Sequence, residues 1–289
     1  MKKVTLKSKF ILWMVLFALF LLSLTGCSKG KNKDVSADII DSENSLTDYY
    51  DEESGVYYTE NIEIADTTSP SVYGAISNPE GLKEIYLTFD DGPSIYTDRI
   101  LDILKKYDIK ATFFVLGKED KSSVKAYKRI VDEGHTLAMH SYSHKYNDVY
   151  KSKDSFINDL TSLQEYLYEV TGVWCRVYRF PGGSSNTVSK VNMSELIDYL
   201  NDQGIRYFDW NIQSGDATGA VSLSKDTIVY NCTKNIDKFD ECVILLHDTG
   251  NRKSTVDALD DIIKKIISRG DCIFLPITDE TNLVQHRTE

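Results

Sequence analysis

An α/β fold built on a parallel sheet is what the amino-acid sequence predicts, and three observations predict it. Seven short apolar runs recur between about residues 76 and 289, helical patterns separate them, and the polar residues of chemical interest gather at the C-terminal ends of the runs. Strands that alternate with helices pair in parallel, because each crossover returns the chain to the same end of the sheet. The pattern leaves open whether that sheet stays open or closes into a barrel.

The runs, in order, are EIYLTFD, ATFFVLG, TLAMHS, VYRFPG, RYFDWN, CVILLHD and CIFLPIT. Each is four to eight residues of β-branched and aromatic character, which suits a strand buried on both faces. Between them, Ile100, Ile103, Leu104 and Tyr107 fall at i, i+3, i+4 and i+7. Val256, Leu259, Ile263 and Ile266 likewise share one face of the last helix. No internal repeat stands out.

The residues before 76 read differently. MKKVTLKSK carries four lysines, and the apolar run from Phe10 to Leu24 is 15 residues long. A membrane-spanning helix needs about 20 such residues, so the run suits the core of a signal peptide. It closes in Leu24-Thr25-Gly26-Cys27, which resembles a bacterial lipobox. Residues 1–26 are therefore expected to be a lipoprotein signal peptide, with Cys27 lipidated; an uncleaved anchor is the plainer alternative. Either way the rest of the chain is expected outside the cytoplasm, at the extracytoplasmic face of the cell membrane.

From Asp34 to Asp66 there are eleven acids and no Lys or Arg. Such a block repels itself, so residues 27–75 are expected to form a flexible acidic tether, roughly 35–40 Å in span. The alternative is that Tyr49, Tyr50, Tyr57 and Tyr58 pack on the domain. The whole chain of 289 residues carries a net charge of −11. Without a basic patch it is a poor partner for a phosphate backbone, which argues against nucleic acid. A monomer is expected.

Cys175, Cys232, Cys242 and Cys272 remain after Cys27. Outside the cell they permit two disulfides in three connectivities, or they are small apolar residues in a core. Their spacing does not resemble a zinc cluster.

Asp90, Asp91, His140, His144, Arg179, Trp210 and His247 all fall at or just past strand C-termini, the end where α/β proteins place their active sites. Cys175, Cys242 and Cys272 fall at the opposite end. His140 and His144 are four residues apart, so one helical turn would bring both imidazoles to one side. Two imidazoles and one carboxylate, with coordination positions left open, suit a catalytic transition metal. By itself HxxxH is weak, but three of five histidines follow strands at the same sheet end. The adjacent acids in TFDDGP then divide the work: if Asp91 binds the metal, Asp90 is free to act as base toward an activated water. A helix N-cap would account for one Asp and leave the other idle.

TFDDGP, HSYSH, RFPGG, DWNIQSGD and LLHD, in this order, resemble the motifs of the polysaccharide deacetylases of carbohydrate esterase family 4, the NodB-homology domain. The resemblance covers residues 76–289. It implies a distorted (β/α) barrel of about seven parallel strands that removes acetyl groups from sugars with one divalent metal, zinc first, with cobalt, nickel or manganese as alternatives. Residue by residue, it implies Asp90 as base and Asp91, His140 and His144 as metal ligands. Arg179 would orient Asp90, the backbone N–H of Gly182 would stabilise the oxyanion, and His247, paired with Asp216, would be the general acid. Trp210 and Leu245 would wall the pocket for the acetyl methyl. One departure stands out: the family often has an aromatic residue where this chain has Gly182, so one wall of the sugar groove is missing from that position.

The expected substrate is peptidoglycan N-acetylglucosamine, since a lipid-tethered bacterial enzyme meets the wall first. An acetylxylan esterase or an exopolysaccharide or chitin-oligomer deacetylase stays open within the family. An inactive glycan-binding module would have no need of the full acid, base and ligand set. A metal phosphohydrolase would want two metals and more carboxylates. The lipobox makes a prediction of its own. Cys27→Ala should release or mislocalise the protein without harming the isolated domain; a mutant that is processed and fractionates with membranes like wild type would refute it.

Overall fold

The computed structural model describes residues 47–51, 56–60, 78, 81–218 and 222–288. The predicted signal peptide, Cys27 and most of the predicted tether lie outside them. Within the tether segment, β1 (Thr47–Asp51) and β2 (Val56–Glu60) pair antiparallel, with Tyr49 opposite Tyr58. The segment expected to be a flexible acidic tether thus includes one short hairpin. Its local cause is the Tyr-, Thr- and Val-rich composition of TDYYD and VYYTE, which favours strand in spite of the surrounding acids. The two contact-defined units of the chain divide at Glu63 and Ile64.

The larger unit holds eight parallel strands. β3 (Lys83–Asp90) is central, followed by α1 (Thr97–Lys106), β4 (Thr112–Leu116), α2 (Lys121–Asp132) and β5 (Thr136–Ser141). Then come α3 (Tyr146–Val149), α4 (Lys153–Thr171), β6 (Val177–Tyr178), α5 (Met193–Asp202), β7 (Arg206–Tyr207) and β8 (Ile212–Gln213). The chain finishes with α6 (Lys225–Thr233), β9 (Glu241–His247), α7 (Lys253–Ile267) and β10 (Cys272–Phe274). Seven strands follow the path β7-β6-β5-β4-β3-β9-β8, and β10 pairs with the first half of β3. The sheet curls into a half-barrel, as expected of a distorted (β/α) barrel. All seven predicted strands are present, and β8 is additional.

Side-chain parity organises the interior. Along β3, Ile85, Leu87 and Phe89 face the helices and join the large outer core with Ile100, Leu104, Leu259 and Ile263. Tyr86 belongs to the inner cluster with Phe114, Ala138, Val177, Phe208 and Val243. Counting on by twos from that cluster gives Thr88 and Asp90 on β3, His140 on β5, Arg179 just past β6, and Leu245 and His247 on β9. One inward face thus passes from an apolar floor to a charged rim. The outer core is deep: Val256, Leu259, Ile262, Ile263 and Ile266 of α7 are all buried, each contributing about 1.5–3 kcal/mol.

The cysteines resolve to the core alternative. Cys175, Cys232, Cys242 and Cys272 are all free, the first three buried. Burial pushes the Cys175 and Cys242 thiols up to about 12.

Candidate active site

The rim begins at Asp90, the last residue of β3, which is 3% exposed. Arg179, 0% exposed, donates from Nη1 to Asp90 Oδ1 at 2.7 Å and to Thr88 Oγ1 at 2.8 Å. Its Nε donates to Phe208 O at 2.9 Å and its Nη2 to Asp209 O at 2.8 Å, while the guanidinium lies 4.0 Å from the centre of the Phe114 ring. A buried guanidinium is tolerable only when its charge is paired and its nitrogens hydrogen-bonded, and here each of the three nitrogens has a partner.

By strand parity Asp91 would point outward among the helices. It does not, because its φ is +72°, and the left-handed turn swings it into the rim beside Asp90. The turn therefore begins at Asp91 itself, one residue earlier than Gly92 and Pro93 suggest. The loop is held from three directions. Asp248 N–H donates to Asp90 O at 2.8 Å, and the buried Asp248 carboxylate accepts from Ser94 Oγ and Thr97 Oγ1, both at 2.5 Å. Lys118 Nζ donates to Asp91 O at 2.9 Å and Pro93 O at 2.6 Å. A Cβ on Gly92 would come within 2.5 Å of Asp248 Oδ2, so only glycine fits there.

His140 and His144 do meet, but not on a helical turn. His140 lies within β5, and His144 ends a short loop with φ +53°. Asp159 on α4 shapes that loop: Oδ2 accepts from Ser141 Oγ at 2.7 Å and Tyr142 N at 2.8 Å, and Oδ1 from Ser143 N at 3.0 Å and Ser143 Oγ at 2.8 Å. Ser141 Oγ in turn accepts from His144 N at 2.8 Å. His140 Nδ1 lies 2.7 Å from Arg179 O and so carries the proton, leaving the Nε2 lone pair for the site. Burial, then the neighbouring His140, lowers the His144 pKa, which favours the uncharged ring that a metal requires.

Asp91 Oδ1 lies 3.6 Å from His140 Nε2 and 3.2 Å from His144 Nε2, and it is buried with no hydrogen-bond partner. Metal bonds of about 2.1 Å at tetrahedral angles set donors about 3.4 Å apart. Among the described residues, Asp91, His140 and His144 are the one group of three His, Cys, Asp or Glu side chains close enough to share an ion. The donor set fits a divalent metal.

On the neighbouring strand, His247 is in register with Asp90. Its Nδ1 lies 2.7 Å from Asp216 Oδ1, and Asp216 Oδ2 accepts from His247 N and Thr255 Oγ1, both at 2.9 Å. Burial alone would lower the His247 pKa; the Asp216 bond and charge, with Asp90 and Asp91 beyond, outweigh it and raise the value to about 9.

Gly182 follows Pro181 with φ +80°, and its N–H has no acceptor among the described residues. Leu245 lies two residues below His247 on the same face of β9, and Trp210 closes over Gly183. The structure thus brings the predicted residues to one rim. Sequence reasoning missed Asp159, Lys118, Asp209 and Tyr146. Asp209 Oδ1 accepts from Ser184 N at 2.8 Å and fastens the Gly182 loop. Asp209 stood inside DWNIQSGD with no role assigned to it, and the other three carried no local signal. Asp159→Ala frees the His144 loop and should weaken divalent-metal affinity about 10- to 100-fold, read by calorimetric titration of the metal-free protein; unchanged affinity would show that the loop holds its own shape.

The polysaccharide deacetylase family model matches residues 77–208. Two peptidoglycan-N-acetylglucosamine deacetylases of Bacillus cereus are similar: one is 34% identical over 68% of this chain and 68% of its own length, the other 32% over 70% and 71%. The crystal structure of the catalytic domain of a peptidoglycan N-acetylglucosamine deacetylase from Eubacterium rectale superposes with a TM-score of 0.68 at 38% identity, covering 76% of this chain and 99% of that one. With sequence, fold and site order agreeing over the same segment, the chain belongs to the polysaccharide deacetylase family.

Proposed function

We propose that the chain is a metal-dependent deacetylase of N-acetylglucosamine in peptidoglycan, held outside the cell membrane by a lipid on Cys27. The observation that carries the reading is the flanking of the Asp91–His140–His144 donor set by Asp90 and His247, on paired strands and in register. Relatives named for that activity support the substrate class.

Asp91, His140 and His144 would hold one divalent ion, zinc first by its preference for such donors. When bound, the ion supplies a Lewis acid that polarises the acetyl carbonyl and makes water more acidic. Asp90 takes a proton from the attacking water with Oδ2, the oxygen left open while Arg179 occupies Oδ1. Gly182 N–H donates to the acetyl oxygen as negative charge develops there. His247 enters as imidazolium, its Nδ1–H kept on Asp216, and gives the Nε2 proton to the sugar nitrogen as the C–N bond breaks. Acetate leaves carrying the oxygen of the water, and the sugar keeps a free amine. Trp210 and Leu245 bound the acetyl methyl.

Incubating the soluble domain with purified wall, chitin oligomers and acetylated xylan should convert wall N-acetylglucosamine to glucosamine by mass spectrometry; deacetylation of xylan alone would overturn the substrate. The adjacent acids should fail differently. Asp90→Asn should keep its metal and lose about 10²- to 10⁴-fold in single-turnover rate, whereas Asp91→Asn should lose metal and activity together. The reverse pattern would mean the two roles are exchanged. The pH profile tests the acid. The His247 pKa is raised, so its proton is present at neutral pH and is lost as pH rises through about 9. Asp216→Asn removes the main group that raises it and should move the alkaline limb of kcat to lower pH; a limb that stays in place would discount His247.

A further inference from the structure

We propose that Tyr146 supplies the aromatic wall that position 182 lacks and packs against the acetylated sugar ring opposite Trp210. The inference rests on the deacetylase reading and on Gly182 as oxyanion donor. A Cβ built on Gly182 would lie 3.3 Å from both Cε1 and Oη of Tyr146. The space a side chain at 182 would enter is therefore already filled, by a ring that arrives from a different element. Gly182 has φ +80°, so a larger residue there would be strained as well as crowded.

Tyr146 opens α3 and is fixed on two sides. Its ring meets His144 edge-on at 5.3 Å between centroids, and Tyr150 at 6.1 Å. Tyr150 is itself tied down, donating to Pro181 O at 2.9 Å. The ring thus moves with both a metal ligand and the oxyanion loop. Across the loop, Trp210 Cη2 lies 3.1 Å from where a Cβ on Gly183 would be. The Gly182–Gly183 backbone therefore has one aromatic side chain against each of its two residues, Tyr146 at Gly182 and Trp210 at Gly183.

The Tyr146 side chain is also conspicuously uncommitted. The residue is 36% exposed, and its hydroxyl makes no hydrogen bond among the described residues. The neighbouring Tyr142, Tyr150 and Tyr166 hydroxyls all donate to protein acceptors. An exposed aromatic face with an open hydroxyl matches a pyranose, which offers a C–H face and hydroxyls together.

The test compares Tyr146→Ala and Tyr146→Phe with wild type on N-acetylglucosamine oligomers, acetylated xylo-oligomers and the sugar-free 4-nitrophenyl acetate, with metal content measured for each. Tyr146→Ala should lower the ratio of kcat/KM on the preferred sugar to that on 4-nitrophenyl acetate by about tenfold, mainly through KM. Tyr146→Phe, which keeps the ring, should recover most of that loss. An equal loss on sugar and aryl ester, or a loss that follows metal content, would mean that Tyr146 acts through His144 and would overturn the proposal. So would a Phe variant as poor as Ala, or an unchanged ratio. Wild-type protein that hydrolyses the aryl ester but neither sugar would instead overturn the deacetylase reading, and this inference with it.

Discussion

The guanidinium of Arg179 is the group around which the rest of the site is arranged. It lies at 0% exposure inside the half-barrel, where an unpaired charge would be untenable. Its donors reach Asp90 and Thr88 on β3 and two carbonyls just past β7, so one side chain ties three strand ends together. Its own backbone carbonyl meets His140 Nδ1 and sets the tautomer of that ring. One residue thereby orients both a carboxylate and an imidazole of the rim. Removing one partner of such a buried pair typically costs about 3–5 kcal/mol, because the other charge is left uncompensated. Fold and site cannot be varied independently at this position.

How the rim is populated follows from two geometries. Residues that obey strand parity, Asp90, His140 and His247, face inward because the pleat sends them there. Residues that break it, Asp91 and His144, need left-handed backbone, at φ +72° and +53°. Each of these strained positions is braced: Lys118 and Asp248 grip the loop of the first, and Asp159 and Ser141 that of the second. Strain at a site persists only where the surroundings over-determine it, and here they do.

That division also explains what could be read from the sequence. Apolar runs and helical periods located seven of the eight parallel strands and the first and last helices, because burial leaves a pattern in the sequence. The chemically distinctive residues, Asp90, Asp91, His140, His144, Arg179 and His247, could be gathered from their common position at strand ends. The route by which His144 arrives was misread as a helical turn, since the spacing of HxxxH carries no information about a loop shaped by a distant Asp159. Lys118 and Tyr146 were equally invisible: each acts on a segment far along the chain, and nothing local distinguishes it from a surface lysine or a helix-start aromatic. Asp209 opens DWNIQSGD, but its hold on Ser184 could not be read from that motif. β8 follows directly on RYFDWN, with no apolar run of its own to mark it.

The free cysteines have a consequence for how the molecule is made. Thiols at Cys175, Cys232 and Cys242 are buried and unlinked, and burial holds their pKa values far above neutrality, so they are scarcely ionised. Nothing in the described fold depends on an oxidant. With all four described thiols unlinked, reaching this fold involves no cross-linking step to complete, misdirect or reverse.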